Sequence, residues 1–406
     1  MTGALSLLIG HFLISIWLTN HRELLFTLIL GLLAAGLSWG LIHFVITRTH
    51  PEIVLPLIFL YSVGWLELLR LQPELARKQS LWLVIAAAGA SLTFRLLQPI
   101  TKLERYRVVT LAGGLLLLFS ALIVGTEVNG AKLWLRFGDV SFQPIEVVKI
   151  LLVVTLASFW RRFRLWLRFS KDRVAGRLPR RGMVFLASGW FLGLVILVVQ
   201  RDLGMALLLI GVFFTMFYVA TGRKDLVVLG VGAFFAASAL AIAVFHHIRI
   251  RIRAWWDPFE FYDTDGYQLV QGLYAVADGG PWGRGLFLGR PQVVPEVHTD
   301  FILTAVSHEL GWLTALCLIY AVAYLSWRFF QMAADCRGEY RRLLLTGLAS
   351  LWSVQCFIIL GGITKIIPMT GLTLPFVSYG GSSLLANAIL VALIVRCGLE
   401  GQRCEE

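Results

Sequence analysis

Apolar runs of the length that crosses a bilayer, roughly 20 residues, recur along this chain of 406 residues. Read in order they fall at 3–19, 23–46, 52–70, 80–97, 107–126, 144–160, 183–199, 203–220, 225–246, 300–327, 343–366 and 381–397. A backbone in hydrocarbon must satisfy its own N–H and C=O groups. The expected fold is therefore an all-α, polytopic transmembrane helical bundle of about 12 spans. Composition agrees: 58% of residues are hydrophobic, only 15% are charged and mean hydropathy is +0.78. Soluble domains carry about a quarter charged residues. No separate soluble domain is visible.

The net charge of +12 would suggest a nucleic-acid surface in a soluble protein. Here the basic residues crowd into a few short loops, so topology is the better explanation and no nucleic-acid partner is expected. The stretch 161–181 holds Arg161, Arg162, Arg164, Arg168, Lys171, Arg173, Arg177, Arg180 and Arg181 against a single Asp172. The positive-inside rule places it in the cytoplasm. Both termini then lie inside, with Lys102, Arg105, Arg107, Arg223, Lys224, Arg337, Arg341 and Arg342. Loops 127–143, 247–299 and 367–380 lie outside; the charges between Arg70 and Lys78 are mixed and fit this scheme less cleanly. The first run, Ala4 to Thr19, has no basic start and no small-residue cleavage site, and reads as a retained span. Cys317, Cys336, Cys356, Cys397 and Cys404 offer neither a disulfide framework nor metal-ligand spacing.

Polar residues gather near the outer face. Glu296-Val-His-Thr-Asp300-Phe-Ile puts carboxylates where a long polar loop meets an apolar run, and a carboxylate there is costly to bury. On the following helix Thr304, Ser307 and Gly311 share the Asp300 face at helical spacing. Glu309 faces elsewhere, and His308 reads as a packed, hydrogen-bonded residue. Asn129-Gly-Ala-Lys132-Leu-Trp134 precedes Phe142-Gln143-Pro144-Ile-Glu146-Val-Val-Lys149. Pro144 suits a first helical turn, and Glu146 and Lys149 share a face and can pair. That pair is either self-neutralising or lines a polar cavity. At Gln200-Arg-Asp202, Asp202 is an N-cap, a break lining a cavity, or both. Lys365 and the run Leu374-Pro-Phe-Val-Ser378-Tyr-Gly-Gly381-Ser382-Ser383 offer backbone and hydroxyl donors at a helix N-terminus; small residues for tight packing are the alternative. The loop 247–299 alternates Trp255, Trp256, Phe259, Phe261 and Tyr262 with Arg251, Arg253, Asp257, Glu260 and Asp263, as in a segment lying on a membrane surface. It then becomes turn-rich over Gly279-Gly-Pro-Trp-Gly-Arg-Gly285. Such a site suits an amphiphile with an anionic head and a lipid tail.

These stretches, in this order, resemble the SEDS family of RodA and FtsW proteins. The matches are Asn129 to Trp134, Phe142 to Lys149, Gln200-Arg-Asp-Leu-Gly204, Gly266-Tyr-Gln, Val294-Pro-Glu with His-Thr-Asp300-Phe-Ile, Glu309-Leu-Gly311 and Thr370-Gly-Leu-Thr-Leu-Pro-Phe-Val-Ser-Tyr-Gly-Gly-Ser-Ser383. The last is very specific. The run from Arg70 through Gln79 to Trp82 resembles the longer, actinobacterial-type members. Three motifs depart: Gln-Arg-Asp for the usual Gln-Pro-Asp, Ser307-His-Glu for Gly-Glu-Glu, and Pro144-Ile-Glu146 for Pro-Ser-Glu.

The resemblance implies a ten-span core over 51–397, preceded by two extra spans in 1–50 and followed by a short cytoplasmic tail, 398–406. It implies a peptidoglycan glycosyltransferase that polymerises lipid II on the outer face of the bacterial cytoplasmic membrane during elongation or division. A class B penicillin-binding protein would be the transpeptidase partner. Asp300 falls on the family's essential aspartate and is the expected catalytic base. The expected substrate-binding set is Lys132, Trp134, Gln143, Glu146, Lys149, Gln200, Asp202, Glu296, Thr299, Ser378, Gly380, Gly381 and Ser382. The departing diphosphate calls for Lys132, Lys149 or Arg201, or a divalent cation such as Mg2+ or Mn2+; no organic cofactor is expected and no metal ligand is assigned. A lipid II flippase and a non-catalytic scaffold are the competing readings.

Overall fold

A computed structural model of the chain describes residues 22–42, 50–128, 131–138, 140–169 and 180–402. The predicted span 3–19, the end of the second span, Asn129-Gly130, the basic stretch 170–179 and Cys404 lie outside the described residues. The other eleven predicted spans each fall on a helix: Arg22–Ile42, Pro51–Leu71, Pro73–Leu96, Arg107–Val124, Pro144–Phe169, Arg180–Val199, Leu203–Thr221, Lys224–Val244, Ile302–Asp335, Glu339–Ile363 and Gly381–Gln402. Among the described residues, eight helices are long and apolar enough to cross a membrane.

Local sequence sets the helix ends. Pro51, Pro73 and Pro144 each open a helix, where a missing N–H costs nothing. Asp202 accepts a hydrogen bond from Met205 N at 3.0 Å, and Gly222 closes the same helix in a left-handed conformation, φ 70°. The N-cap reading of Asp202 is thus the observed one, and the chain breaks between two helices at that point.

Two loops contain more structure than their sequences announced. The segment 127–143 folds into a small antiparallel sheet of order β1-β2-β3, with β1 at Thr126–Val128, β2 at Ala131–Phe137 and β3 at Val140–Phe142. It is the departure from an all-helical chain. The loop 247–299 contains the helices His246–Trp256 and Tyr267–Gly279 and a 3-10 turn at Pro291–Val293. Trp256 lies exposed in this region, but Trp255 turns into the protein, donating from Nε1 to Lys365 O at 3.0 Å.

The described residues form two compact units. Those up to Ala88, with Ala237–Leu325 and Cys356–Leu384, make the first; Gly89–Ala236, Ser326–Gln355 and those from Leu385 onward make the second. In the first, Leu269, Ala275, Val294, Val297, Phe301 and Ala305 pack into one apolar cluster. It ties the Tyr267–Gly279 helix and the loop before Asp300 to the Ile302–Asp335 helix. In the second, Trp160 meets Phe213 and Phe217, and Trp190 stacks on Phe213. The helix Lys224–Val244 leaves Val228, Leu229 and Phe235 about 70% exposed. A helix apolar all round is at home in lipid and not in water.

The Ile302–Asp335 helix is broken at Gly311, whose φ and ψ are 84° and 159°. Side chains beyond it leave the face of Thr304 and Ser307, so the expected stripe ends there. The backbone groups freed by the break are taken up by the glycine-rich turn. Arg284 N and Gly285 N donate to His308 O and Glu309 O at 2.9 and 3.0 Å, and Trp312 N and Leu313 N donate to Gly280 O and Pro281 O at 3.0 and 3.3 Å. The mixed charges between Arg70 and Lys78 resolve into ion pairs: Arg70 with the buried Glu309 at 3.0 Å, and Lys78 with Glu74 at 2.8 Å.

Candidate active site

Asp300 stands two residues ahead of the helix that starts at Ile302. The chain reaches it through a tight reversal: Glu296 has φ 50°, and its carbonyl accepts from both Thr299 N and Asp300 N at 3.1 Å. Beneath lie Val294, Val297 and Phe301, all buried. This half-buried position pushes the Asp300 carboxyl up to about 7, through burial first and then the negative charge of Glu296. A hydrogen bond from Thr299 and the positive charge of Arg251 pull the other way. Burial holds His298 below its usual range, against the nearby Glu296 carboxylate at 3.7 Å.

The Thr370–Ser383 run is stitched onto this reversal. Ser378 Oγ donates to Thr299 O at 2.6 Å and accepts from Leu374 N at 3.0 Å, while Tyr379 N donates to His298 O at 2.9 Å. Gln79 clamps the same loop, giving Nε2 to Ser378 O and taking Gly380 N, each at 3.3 Å. Thr373 Oγ1 donates to Ser383 Oγ at 2.8 Å. The hydroxyl of Ser378 is therefore committed to holding the Asp300 loop, in place of the ligand-facing donor role expected of it. Gly371, at φ 74°, passes so close to the carboxylate that a Cβ there would stand 3.6 Å from Asp300 Oδ2. At Gly381 a Cβ would fall 2.1 Å from the Trp82 ring, so only glycine lets this loop sit down on the Pro73–Leu96 helix.

Glu296, Thr299, Asp300, Ser378, Gly380, Gly381 and Ser382 thus belong to the first unit; Glu296 and Thr299 act on Asp300 directly, and Ser378 is linked to it through Thr299. The other predicted residues belong to the second unit. Lys149 Nζ donates to Glu146 Oε2 at 2.6 Å and to Gln355 Oε1 at 2.8 Å, with both charged residues buried. An ammonium has three donors, so two of them are taken within this triad. Gln200 is buried and donates to Leu118 O at 3.3 Å. Lys132 is exposed on β2, Trp134 is half-buried with its carbonyl accepting from Thr126 Oγ1 at 3.1 Å, and Gln143 is half-buried between β3 and the next helix. As expected, His308 is packed and hydrogen-bonded, its Nε2 lying 3.0 Å from Asp278 Oδ2.

Two groups near Asp300 were not assigned to the site by sequence reasoning. Gln79 is an amide inside an apolar helix, a signal open to reading; Arg251, placed among the loop charges, gave none, since only folding brings the charge of an arginine 49 residues upstream to bear on Asp300. Gln355, an amide inside another apolar helix, completes the separate Glu146–Lys149 triad of the second unit.

The model of the FtsW, RodA and SpoVE family, described as cell cycle proteins, matches residues 24–402. Peptidoglycan glycosyltransferase RodA of Mycobacterium leprae is 40% identical over 325 residues, covering 79% of this chain and 69% of that protein. The probable peptidoglycan glycosyltransferase FtsW of Halorhodospira halophila is 36% identical over 340 residues, covering 79% and 83%. Among solved structures, a chain from work on the structural coordination of polymerization and crosslinking by a peptidoglycan synthase complex superposes with a TM-score of 0.71 at 26% identity, covering 86% of this chain and 97% of that one. The rod shape determining protein RodA of Thermus thermophilus superposes at 0.62 and 25% identity, covering 86% and 96%. With the family model spanning nearly all of the described residues and relatives this similar over most of their length, the chain belongs to the FtsW/RodA/SpoVE family.

Proposed function

We propose that this multi-pass membrane protein is a peptidoglycan glycosyltransferase that polymerises lipid II on the outer face of the bacterial cytoplasmic membrane, with Asp300 as general base. Family membership supports the activity. The observation that carries the role of Asp300 is its environment: a single half-buried carboxylate, fixed by its neighbours' backbone and pushed up to about 7. A base works best with its pKa near the operating pH.

In this reading the ionised Asp300 takes the proton of the GlcNAc 4-hydroxyl. The hydroxyl oxygen bonds to the MurNAc anomeric carbon, the bond from that carbon to the diphosphate oxygen breaks, and the electron pair leaves with undecaprenyl diphosphate. One carboxylate and a good leaving group favour direct inversion, by analogy with the carboxylate logic of glycosidases. Arg251, whose positive charge reaches Asp300, and the exposed Lys132 are candidates to meet the diphosphate, whereas Lys149 is tied into its buried triad.

Among the described residues no three His, Cys, Asp or Glu side chains converge on one point. Mg2+ bound mainly through substrate phosphates needs only one or two carboxylates, and the exposed Glu296 could offer one. A divalent cation held there would neutralise charge on the leaving diphosphate.

A class B penicillin-binding protein is the proposed partner, on the precedent of the relative solved in work on a peptidoglycan synthase complex. The test is polymerisation of labelled lipid II by the purified protein, with and without its membrane-anchored transpeptidase. Glycan chains from the wild type, and none from Asp300→Asn, are expected. Transbilayer movement of lipid II without chain formation would favour a flippase instead.

A further inference from the structure

Away from Asp300, in the second unit, a cavity of about 800 Å3 opens where the end of Leu203–Thr221, the last turns of Pro144–Phe169 and the start of Glu339–Ile363 meet. Its lining includes Arg164, Arg337, Arg342, Glu339 and Thr221. Three guanidinium groups face one carboxylate, a surplus of two positive charges. Among the described residues, the buried atoms Arg164 Nη1 and Arg342 Nε find no hydrogen-bond partner. An orphaned buried donor is costly, more so when it carries a charge. A lysine could shed its proton to relieve that cost; arginine cannot. An anion in the cavity would satisfy those donors and offset the surplus charge. Glu339, in the first turn of its helix, supplies only one negative charge.

We propose that this cavity binds a phosphate-bearing anion, the arginines gripping its oxygens. The planar fork of arginine matches phosphate bidentately. A cavity this size holds more than a bare ion, and Leu165 and Ala220 give it an apolar side. It opens at the ends of three apolar helices, beside the basic loops that the positive-inside rule assigns to the cytoplasm. Basic pockets between membrane helices on that side suit anionic lipid headgroups. A phospholipid phosphodiester and a free phosphate share the required chemistry. The inference is independent of the role of Asp300.

The test is a melting-temperature titration of the full-length protein in detergent, with phosphatidylglycerol, phosphatidylcholine or inorganic phosphate as probe. Phosphatidylglycerol should stabilise the protein where phosphatidylcholine does not, and the effect should weaken as salt rises. Stabilisation by inorganic phosphate alone would support the site with a soluble ligand as its source. Arg164→Gln with Arg342→Gln should raise the half-saturating concentration at least tenfold. Arg223→Gln, whose guanidinium pairs with Asp225 on the exposed surface at 2.7 Å, should leave it unchanged. Equal responses of the wild type to both lipids, with none to phosphate, overturn the proposal without recourse to any variant. So does undiminished binding by a folded double variant.

Discussion

Replacing Asp300 by asparagine should make the protein more stable and almost inactive, and the two effects should carry different pH signatures. The carboxyl is raised from 3.8 to about 7 in the folded chain, so over that range the folded state binds the proton that the unfolded state has lost. Stability therefore falls as pH rises from about 4 to 7, and the whole penalty is present above 7. At about 1.36 kcal/mol per pH unit, a carboxyl taken from 3.8 to about 7 costs on the order of 4 kcal/mol, an upper bound for a half-buried group. Asparagine has nearly the same shape and cannot ionise, so Asp300→Asn removes this cost. At pH 8 the variant should melt above the wild type, with the gap closing toward pH 4. Lipid II polymerisation should fall roughly a hundred- to ten-thousandfold, and the wild-type rate should climb through a midpoint near 7 as Asp300 ionises. Melting curves at pH 4.5 and 8, beside initial rates across that range, measure both. An Asp300→Asn protein that melts lower at pH 8, or that polymerises at a substantial rate, would refute the account of Asp300 as a strained base.

The Glu146–Lys149 pair, closed at 2.6 Å and buried with Gln355, should behave as a unit: either single alanine change costs roughly 3–5 kcal/mol by stranding a buried charge, and the double change costs much less than the sum. Additive losses in that cycle would show no coupling. Ser378→Ala leaves Thr299 O and Leu374 N short of a partner, so stability should fall by about 1–3 kcal/mol and polymerisation should drop with Asp300 untouched; an unchanged rate would mean that the loop is held elsewhere. Hydrogen exchange across 247–299 should slow when the transpeptidase partner binds, and unchanged protection beside a large rise in rate would move the activating contact to another surface.

Much of this was legible because membrane helices announce themselves. Eleven predicted spans meet helices, and their ends follow Pro51, Pro73, Pro144 and Gly222 as local chemistry dictates. Asp300 stood out as a carboxylate at an apolar boundary. The sheet over 126–142 was hidden because β1 and β3 are three residues each, too short for alternation to register. Helical spacing carried Gly311 onto the Asp300 face only by assuming an unbroken helix, and a glycine can leave that conformation at little cost. Ser378 looked like a donor for a ligand. Its real acceptor, the Thr299 carbonyl, is 79 residues away, a pairing no local pattern encodes.

The break at Gly311 turns the Ile302–Asp335 element into two rods, with the turn Gly280–Gly285 laid across the fracture as a splint. Asp300 rides near the tip of the shorter rod, about 16 Å from the fracture at 1.5 Å per residue. With that lever arm, a pivot of about 4° at Gly311 carries the carboxylate through roughly 1 Å, enough to change a rate about a hundredfold. The splint lies within the 247–299 loop, so a partner pressing there would grip the fulcrum directly. The rod beyond Gly311 need not move at all.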